Sequence, residues 1–292
     1  MLTVSILISS CLFFFFVGYR YYAGRLDREV IQPNNSLSTP AVLQDDGVDF
    51  VQSKPLVLFG HNFASIAGAG PVIGPIVAMQ HFGWAVTLVW ILIGNVFIGA
   101  VHDYLALMAS VRNRGSSIAD IAENTMGIRA KLVFAIFLVL AMLLVIAVFG
   151  VVAAKTLVAQ PQMVLPTFSI IPISIALGWF IYYRNASLVI SSVVAVTGVF
   201  LSIYLGFQLP MVLPESGVLG FSPLMFWFVI LMIYAAVASV LPVNILLQPR
   251  DYLSTYILFG SMALAVLALL WIHPELHTPA YLGGFSKEQG PI

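Results

Sequence analysis

The sequence predicts an all-α integral membrane protein of about eight transmembrane helices, and three observations carry that prediction. Of 292 residues, 61% are hydrophobic and 8% charged, where a soluble domain carries about 25% charged residues. Too little polar surface exists to cover a water-facing globule, so lipid must cover the rest. Apolar stretches run over approximately 2–22, 55–82, 84–111, 131–154, 168–184, 187–208, 223–248 and 252–272. Each approaches or exceeds the ~20 residues that cross a hydrocarbon core. Lysine and arginine sort to one side. With the N-terminus outside, the cytoplasmic set holds Arg20, Arg25, Arg28, Lys54, Arg112, Arg114, Arg129, Lys131, Arg184 and Arg250. Only Lys155 and Lys287 fall outside, as the positive-inside rule requires of this helix count.

In chain order, residues 1–22 form the first transmembrane helix. No basic segment precedes Met1–Val17, and Tyr19, Arg20, Tyr21 and Tyr22 follow as interfacial anchors, which reads as an uncleaved signal anchor. Residues 23–54 are a polar cytoplasmic loop with Pro33, Asn34, Asn35, Ser36, Pro40, Asp45, Asp46 and Asp49. Residues 55–208 hold five spans, 223–272 two more, and 273–292 an extracytoplasmic tail. Between the third and fourth spans, Arg112–Asp120 is a basic anchor whose Ser117 can cap a short helix.

Two of these spans carry helix breakers. The stretch 55–82 contains Gly68-Ala69-Gly70-Pro71-Val72-Ile73-Gly74-Pro75, so Ala67 to Pro75 is expected to unwind. Non-helical backbone survives at membrane depth only where protein buries it or it lines a watery cavity. A milder break, Ser239-Val240-Leu241-Pro242-Val243-Asn244, lies in 223–248. The alternative is a pair of kinked packing helices with Gly70 and Gly74 as a small-xxx-small contact. Setting the first helix aside, the broken spans are the first and the sixth, which enter from opposite sides. That is the pattern of a LeuT-like, five-plus-five inverted repeat with discontinuous leading helices. On this pattern 55–208 is the first repeat and 223–272 the first two helices of an incomplete second.

Asp103 is the acidic residue placed clearly inside a span, beside His102, and an intramembrane carboxylate is a functional candidate by default. Helical rise puts Asp103 roughly 9 Å and His61 ~12 Å cytoplasmic of the middle. The two are expected to face each other, either as a proton relay or inner gate or as a structural pair. The substrate cradle is expected at the break. Gly68, Ala69 and Gly70 offer backbone groups, and the half-helix from Pro71 offers N–H groups suited to a carboxylate. Ser65, Asn62, Asn244 and Gln248 add neutral hydrogen bonds.

Several classes are disfavoured. Zero formal charge gives no basic excess for nucleic acid. The one cysteine, Cys11, makes neither an intrachain disulfide nor a cysteine metal site. His273-Pro274-Glu275-Leu276-His277 lies in an outer loop without a further ligand-rich segment, so no metal is expected. The glycines run GxGxxxG and not GxGxxG, and neither HExxH nor GxSxG occurs. No cofactor or enzyme activity is expected. A channel is disfavoured because no span carries a ring-forming run of charge.

The segment Phe59-Gly60-His61-Asn62-Phe63-Ala64-Ser65-Ile66-Ala67-Gly68-Ala69-Gly70-Pro71 resembles the signature of the carbon starvation protein A family. Trp90–Gly94, Gly99-Ala100-Val101-His102-Asp103-Tyr104, Arg114–Ile118 and Leu241–Leu253 continue the likeness from about residue 18 onward. The resemblance implies a proton-coupled secondary transporter in the cell membrane, induced in starvation, taking up a small carboxylate such as pyruvate or short peptides. Two departures follow from it: Asn62 stands where members usually carry a second histidine, and members continue into further helices. The second implies a partner chain as an alternative completion of the fold.

Overall fold

The computed structural model of the chain describes residues 4–47, 50–282, 285–286 and 290–291; Asp49 and Lys287 lie outside the described residues. Eight helices among these are long and apolar enough to cross a membrane. They are α1 (Val4–Ile31), the broken span Pro55–Phe82 made of α2 (Pro55–Ile66) and α3 (Ala69–Phe82), α4 (Trp84–Arg112), then α6 (Ile128–Ala159), α7 (Pro161–Tyr182), α8 (Leu188–Gln208), α9 (Pro223–Val240) and α10 (Leu247–Ile272). The short α5 (Ile118–Met126) follows α4, and Ser117 Oγ caps it by accepting from the Asp120 N–H. Beyond α10, β1 (Phe285–Ser286) pairs antiparallel with β2 (Gly290–Pro291).

Three boundaries correct the sequence reading. First, α1 runs nine residues into the expected loop 23–54 and ends at Gln32, which is left-handed at φ 47° just before Pro33. No proline precedes that point, and Arg25 Nε meets Glu29 Oε2 at 2.8 Å across one turn; such an i,i+4 pair supports a helix. Second, the unwound segment in Pro55–Phe82 is only Ala67–Gly68. Gly68 is extended, the helix restarts at Ala69, and Gly70, Pro71, Gly74 and Pro75 are helical. Pro71 is tolerated because its missing N–H is one of the unpaired ones of a first turn, whereas Pro75 lies inside the helix. Third, the milder break lies between spans: α9 ends at Val240, and Leu241–Leu246 form a tight link. Pro249, Arg250 and Asp251 therefore belong to the first turns of α10.

Two helices contain π-helical stretches, Gly18–Ala23 and Asp27–Ile31 in α1 and Gly94–Gly99 in α4. Two of them meet. A Cβ on Gly18 would stand 3.0 Å from Val96 Cγ1, and the Tyr22 and Phe97 rings are 4.9 Å apart.

The chain divides into two compact units. One holds residues 1–43, 67–128 and 259–292, the other 44–66 and 129–258. In the first, the start of α1, the α3–α4 turn and the segment after α10 share one end. Val4 N–H donates to Pro274 O at 3.2 Å, and the Ala85 N–H to Ala280 O at 3.1 Å. Gly83 makes that turn at φ +88°, where a Cβ would also strike Ala280 O at 2.6 Å. At the opposite end Arg112 donates to Ile31 O and Tyr104 OH to Asp27 Oδ1. This sorting of ends is the one the alternating topology requires.

The second unit is built on α7. Val57, Leu177, Ile181, Ala195, Tyr252 and Leu253 bury one cluster between α2, α7, α8 and α10. Ala154, Leu157, Val164 and Trp227 bury another between α6, α7 and α9. Much of the remaining apolar surface is exposed; Leu140, Leu144, Val189 and Trp271 are examples, as expected of helices whose other faces meet lipid.

Candidate functional site

The polar cluster of the second unit begins with a glycine. A Cβ on Gly60 would lie 2.8 Å from Tyr252 Cα, so α2 and α10 touch backbone to backbone there. Thr255 Oγ1 donates to Gly60 O at 2.7 Å, which ties the same crossing. That approach brings the next residue, His61, onto α10, where its Nδ1 stands 2.8 Å from Asp251 Oδ2. An ionised carboxylate only accepts, so His61 Nδ1 carries the hydrogen and Nε2 is its second site for a proton.

Asp251 is 8% exposed and serves two partners. Its other oxygen, Oδ1, accepts from Arg250 Nε at 3.0 Å and Nη2 at 2.8 Å. Arg250 Nη1 donates to Tyr234 OH at 2.8 Å, which adds α9 to the cluster. A buried charge is tolerated where it is paired and hydrogen-bonded, and here a cation, an anion and a protonatable ring share one carboxylate. Arg250 and Tyr234 also line a cavity of about 150 Å³ with Thr167, Phe168, Ile171 and Leu231.

Next to this chain of contacts stand two expected substrate ligands. Gln248 is buried, and its Oε1 accepts from Ser53 Oγ and Tyr182 OH, both at 2.9 Å. Those bonds make it a tie between the loop before α2, α7 and α10. Asn244 is 8% exposed in the Leu241–Leu246 link, and its Oδ1 is buried with no partner among the described residues. Gly178 makes room for this link, since a Cβ there would meet Pro249 Cγ at 2.8 Å and Ile245 O at 2.9 Å. Ser65 donates to His61 O one turn back at 2.9 Å, so it supports α2 locally.

The remaining candidates lie in the first unit. Asp103 is half exposed, with His102 Nδ1 3.1 Å from its Oδ1. The carboxylate bonded to His61 is that of Asp251. Arg250 and Asp251 lie between the apolar stretches 223–248 and 252–272, so hydropathy alone places them outside a span. Pro249, a residue at home in a first helical turn, is the signal that could have moved them into the helix. Gly68 precedes the first turn of α3 with no side-chain cap, Ala69 opens that turn, and Gly70 follows. Nothing stands within 4 Å of a Cβ on Gly70 or Gly74, so neither makes the close packing contact that was the alternative reading. Gly74, Pro71 and Pro75 instead line a groove of about 580 Å³ opposite Trp90, Gly94 and Asn95 of α4. His273 bonds Ser5 Oγ at 2.8 Å, and no cluster of three or more metal-ligating residues occurs among the described residues.

Eight apolar helices with an ion-paired network inside one of their units define a multi-pass helical membrane protein. The sequence model of the family described as carbon starvation protein CstA matches residues 3–292, and the chain belongs to that family. It is 34% identical over 278 residues to the peptide transporter CstA of Mycobacterium tuberculosis, covering 95% of this chain and 36% of the relative. To the peptide transporter CstA of Helicobacter pylori it is 34% identical over 285 residues, 97% of this chain and 41% of the relative. To the pyruvate/proton symporter BtsT of Escherichia coli it is 32% identical over 278 residues, 95% of this chain and 38% of the relative. The chain thus spans well under half the length of these relatives. No solved structure matches it.

Proposed function

We propose that this chain belongs to a secondary active transporter of the cell membrane that takes up a small carboxylate such as pyruvate, or short peptides, together with protons. One observation carries the reading. The half-buried His61 and Arg250 and the buried Asp251 form a hydrogen-bonded network inside an apolar bundle, and intramembrane ionisable clusters mark ion and substrate pathways. The names of the relatives point the same way. In this reading His61 with Asp251 carries the coupling proton, and His102 with Asp103 forms a second protonatable pair on the path. Asn244 offers an unclaimed acceptor to substrate. Gln248 holds the link beside it, and Ser65 steadies the turn of α2 that carries His61. Gly68, Ala69 and Gly70 open α3, with its free N–H groups, toward an anion.

The test is uptake of labelled pyruvate and labelled dialanine by the full-length protein in liposomes under an inward proton gradient. Accumulation of either is expected, and a protonophore should abolish it. Asp103→Asn should cut accumulation by about tenfold or more while substrate binding stays within about twofold. Folded protein that accumulates neither solute would refute the proposal.

A further inference from the structure

We propose that Arg250 and Tyr234 form a carboxylate-binding site, and that the bound carboxylate takes the guanidinium from Asp251 so that the His61–Asp251 pair gains the proton. This inference rests on the transport reading and assigns its anion site.

Two observations converge on Arg250. Its three bonds, two to Asp251 Oδ1 and one to Tyr234 OH, use three of the five N–H donors of a guanidinium. No further partner is found among the described residues. The same side chain borders the cavity of about 150 Å³ between α7, α9 and α10. The other walls of that cavity are mainly apolar, with Phe168, Ile171 and Leu231, so a carboxylate entering it meets one cation and one phenol. A planar guanidinium with donors to spare suits bidentate recognition of a carboxylate.

Charge balance supplies the coupling. With His61 neutral, Arg250 and Asp251 cancel. An arriving carboxylate leaves the cluster one negative charge in excess, which is costly away from water. A proton on the His61–Asp251 pair restores neutrality, because Asp251 loses its cation at the moment the anion gains it. Among the described residues, the titratable or charged groups bonded into that network are Arg250 on α10 and Tyr234 on α9, while nearby Tyr252 bonds Ser192 and Tyr182 bonds Gln248. Arg250 is the cation among them. Binding of carboxylate and proton are therefore linked, and by reciprocity each raises the affinity of the other.

Binding can be measured by calorimetry on the full-length protein in detergent, with a pH-indicator dye in weakly buffered solution. Pyruvate, dialanine and dialanine amide serve as probes. The expectation is uptake of about one proton per carboxylate bound, with the amide failing to bind. Arg250→Gln/Asp251→Asn keeps the cluster neutral, and, in protein whose melting midpoint shows the fold retained, it should weaken carboxylate binding at least ~100-fold. Tyr234→Phe should weaken it by about tenfold. His61→Gln should lose the proton signal and, because binding of proton and carboxylate is linked, also weaken carboxylate binding. Pyruvate binding without dialanine binding assigns the site to small free acids, and the converse assigns it to a peptide terminus. Unchanged affinity in the double variant, or carboxylate binding without proton uptake in the parent protein, overturns the proposal. If the parent protein transports a solute that lacks a carboxylate and binds none of the acids, the site falls while transport stands. A protein that moves no solute removes both.

Discussion

Asp251 gives one oxygen to the imidazole of His61 and the other to the guanidinium of Arg250, so the state of either partner is felt by the other. The histidine was legible in the sequence as a polar residue in an apolar run, but its partner was not. Hydropathy marks where a helix crosses, and it blurs the first turn, where Gln248, Arg250 and Asp251 dilute the apolar signal. The contacts that place His61 depend on small residues. Gly60 admits the backbone of α10, and Gly178 admits the link before it, where a Cβ would stand 2.8 Å from a proline ring atom and 2.9 Å from a carbonyl oxygen. Neither obstacle is the mobile end of a side chain. Gly178→Ala is therefore expected to cost about 1–3 kcal/mol through overpacking. Thermal unfolding in detergent should show it as a lower midpoint, and an unchanged midpoint would mean that the link moves aside freely.

The helices themselves were almost fully legible, because a run of about twenty apolar residues has one stable solution in lipid, where every backbone polar group must be bonded within the segment. Their irregularities were less so. Glycine and proline in Gly68–Pro75 announced a break, yet the break is two residues long, because Pro71 sits in the first turn of α3 and costs no hydrogen bond there. The π-helical stretches of α1 and α4 left no mark in the pattern, since an extra residue per turn barely changes hydropathy. The expected inverted repeat rested on two spans broken alike, but the second break is the link between α9 and α10. What the break does can be tested at Gly70, around which a Cβ meets nothing within 4 Å. Gly70→Val is expected to leave protein level and melting temperature unchanged while reducing transport by more than about tenfold, if the start of α3 receives the anion. Normal transport per molecule would remove α3 from the substrate path.

At the scale of the whole molecule, the lysine and arginine pattern predicts which helix ends face the cytoplasm. Val4, Gly83 and Pro274 share one end of the first unit, and each was assigned to the outside from charge alone. Cysteines at Ser36 and Ser116, on a Cys11→Ser background, should resist an impermeant thiol reagent in intact cells and react once the membrane is opened. Labelling of both in intact cells would invert the topology.

The separation of His61 from Asp251, 190 residues along the chain, also bears on biogenesis. Synthesis proceeds from the N-terminus, so α2 enters the bilayer with its histidine and the bare backbone of Gly60 facing no partner. Five further spans are inserted before α10 arrives. During that interval the insertion machinery or lipid headgroups must shelter an imidazole, and α10 must bring Arg250 and Asp251 in together, already neutralised by each other. Adjacent placement of those two charges lets the last span described here be delivered without carrying a net charge into the membrane.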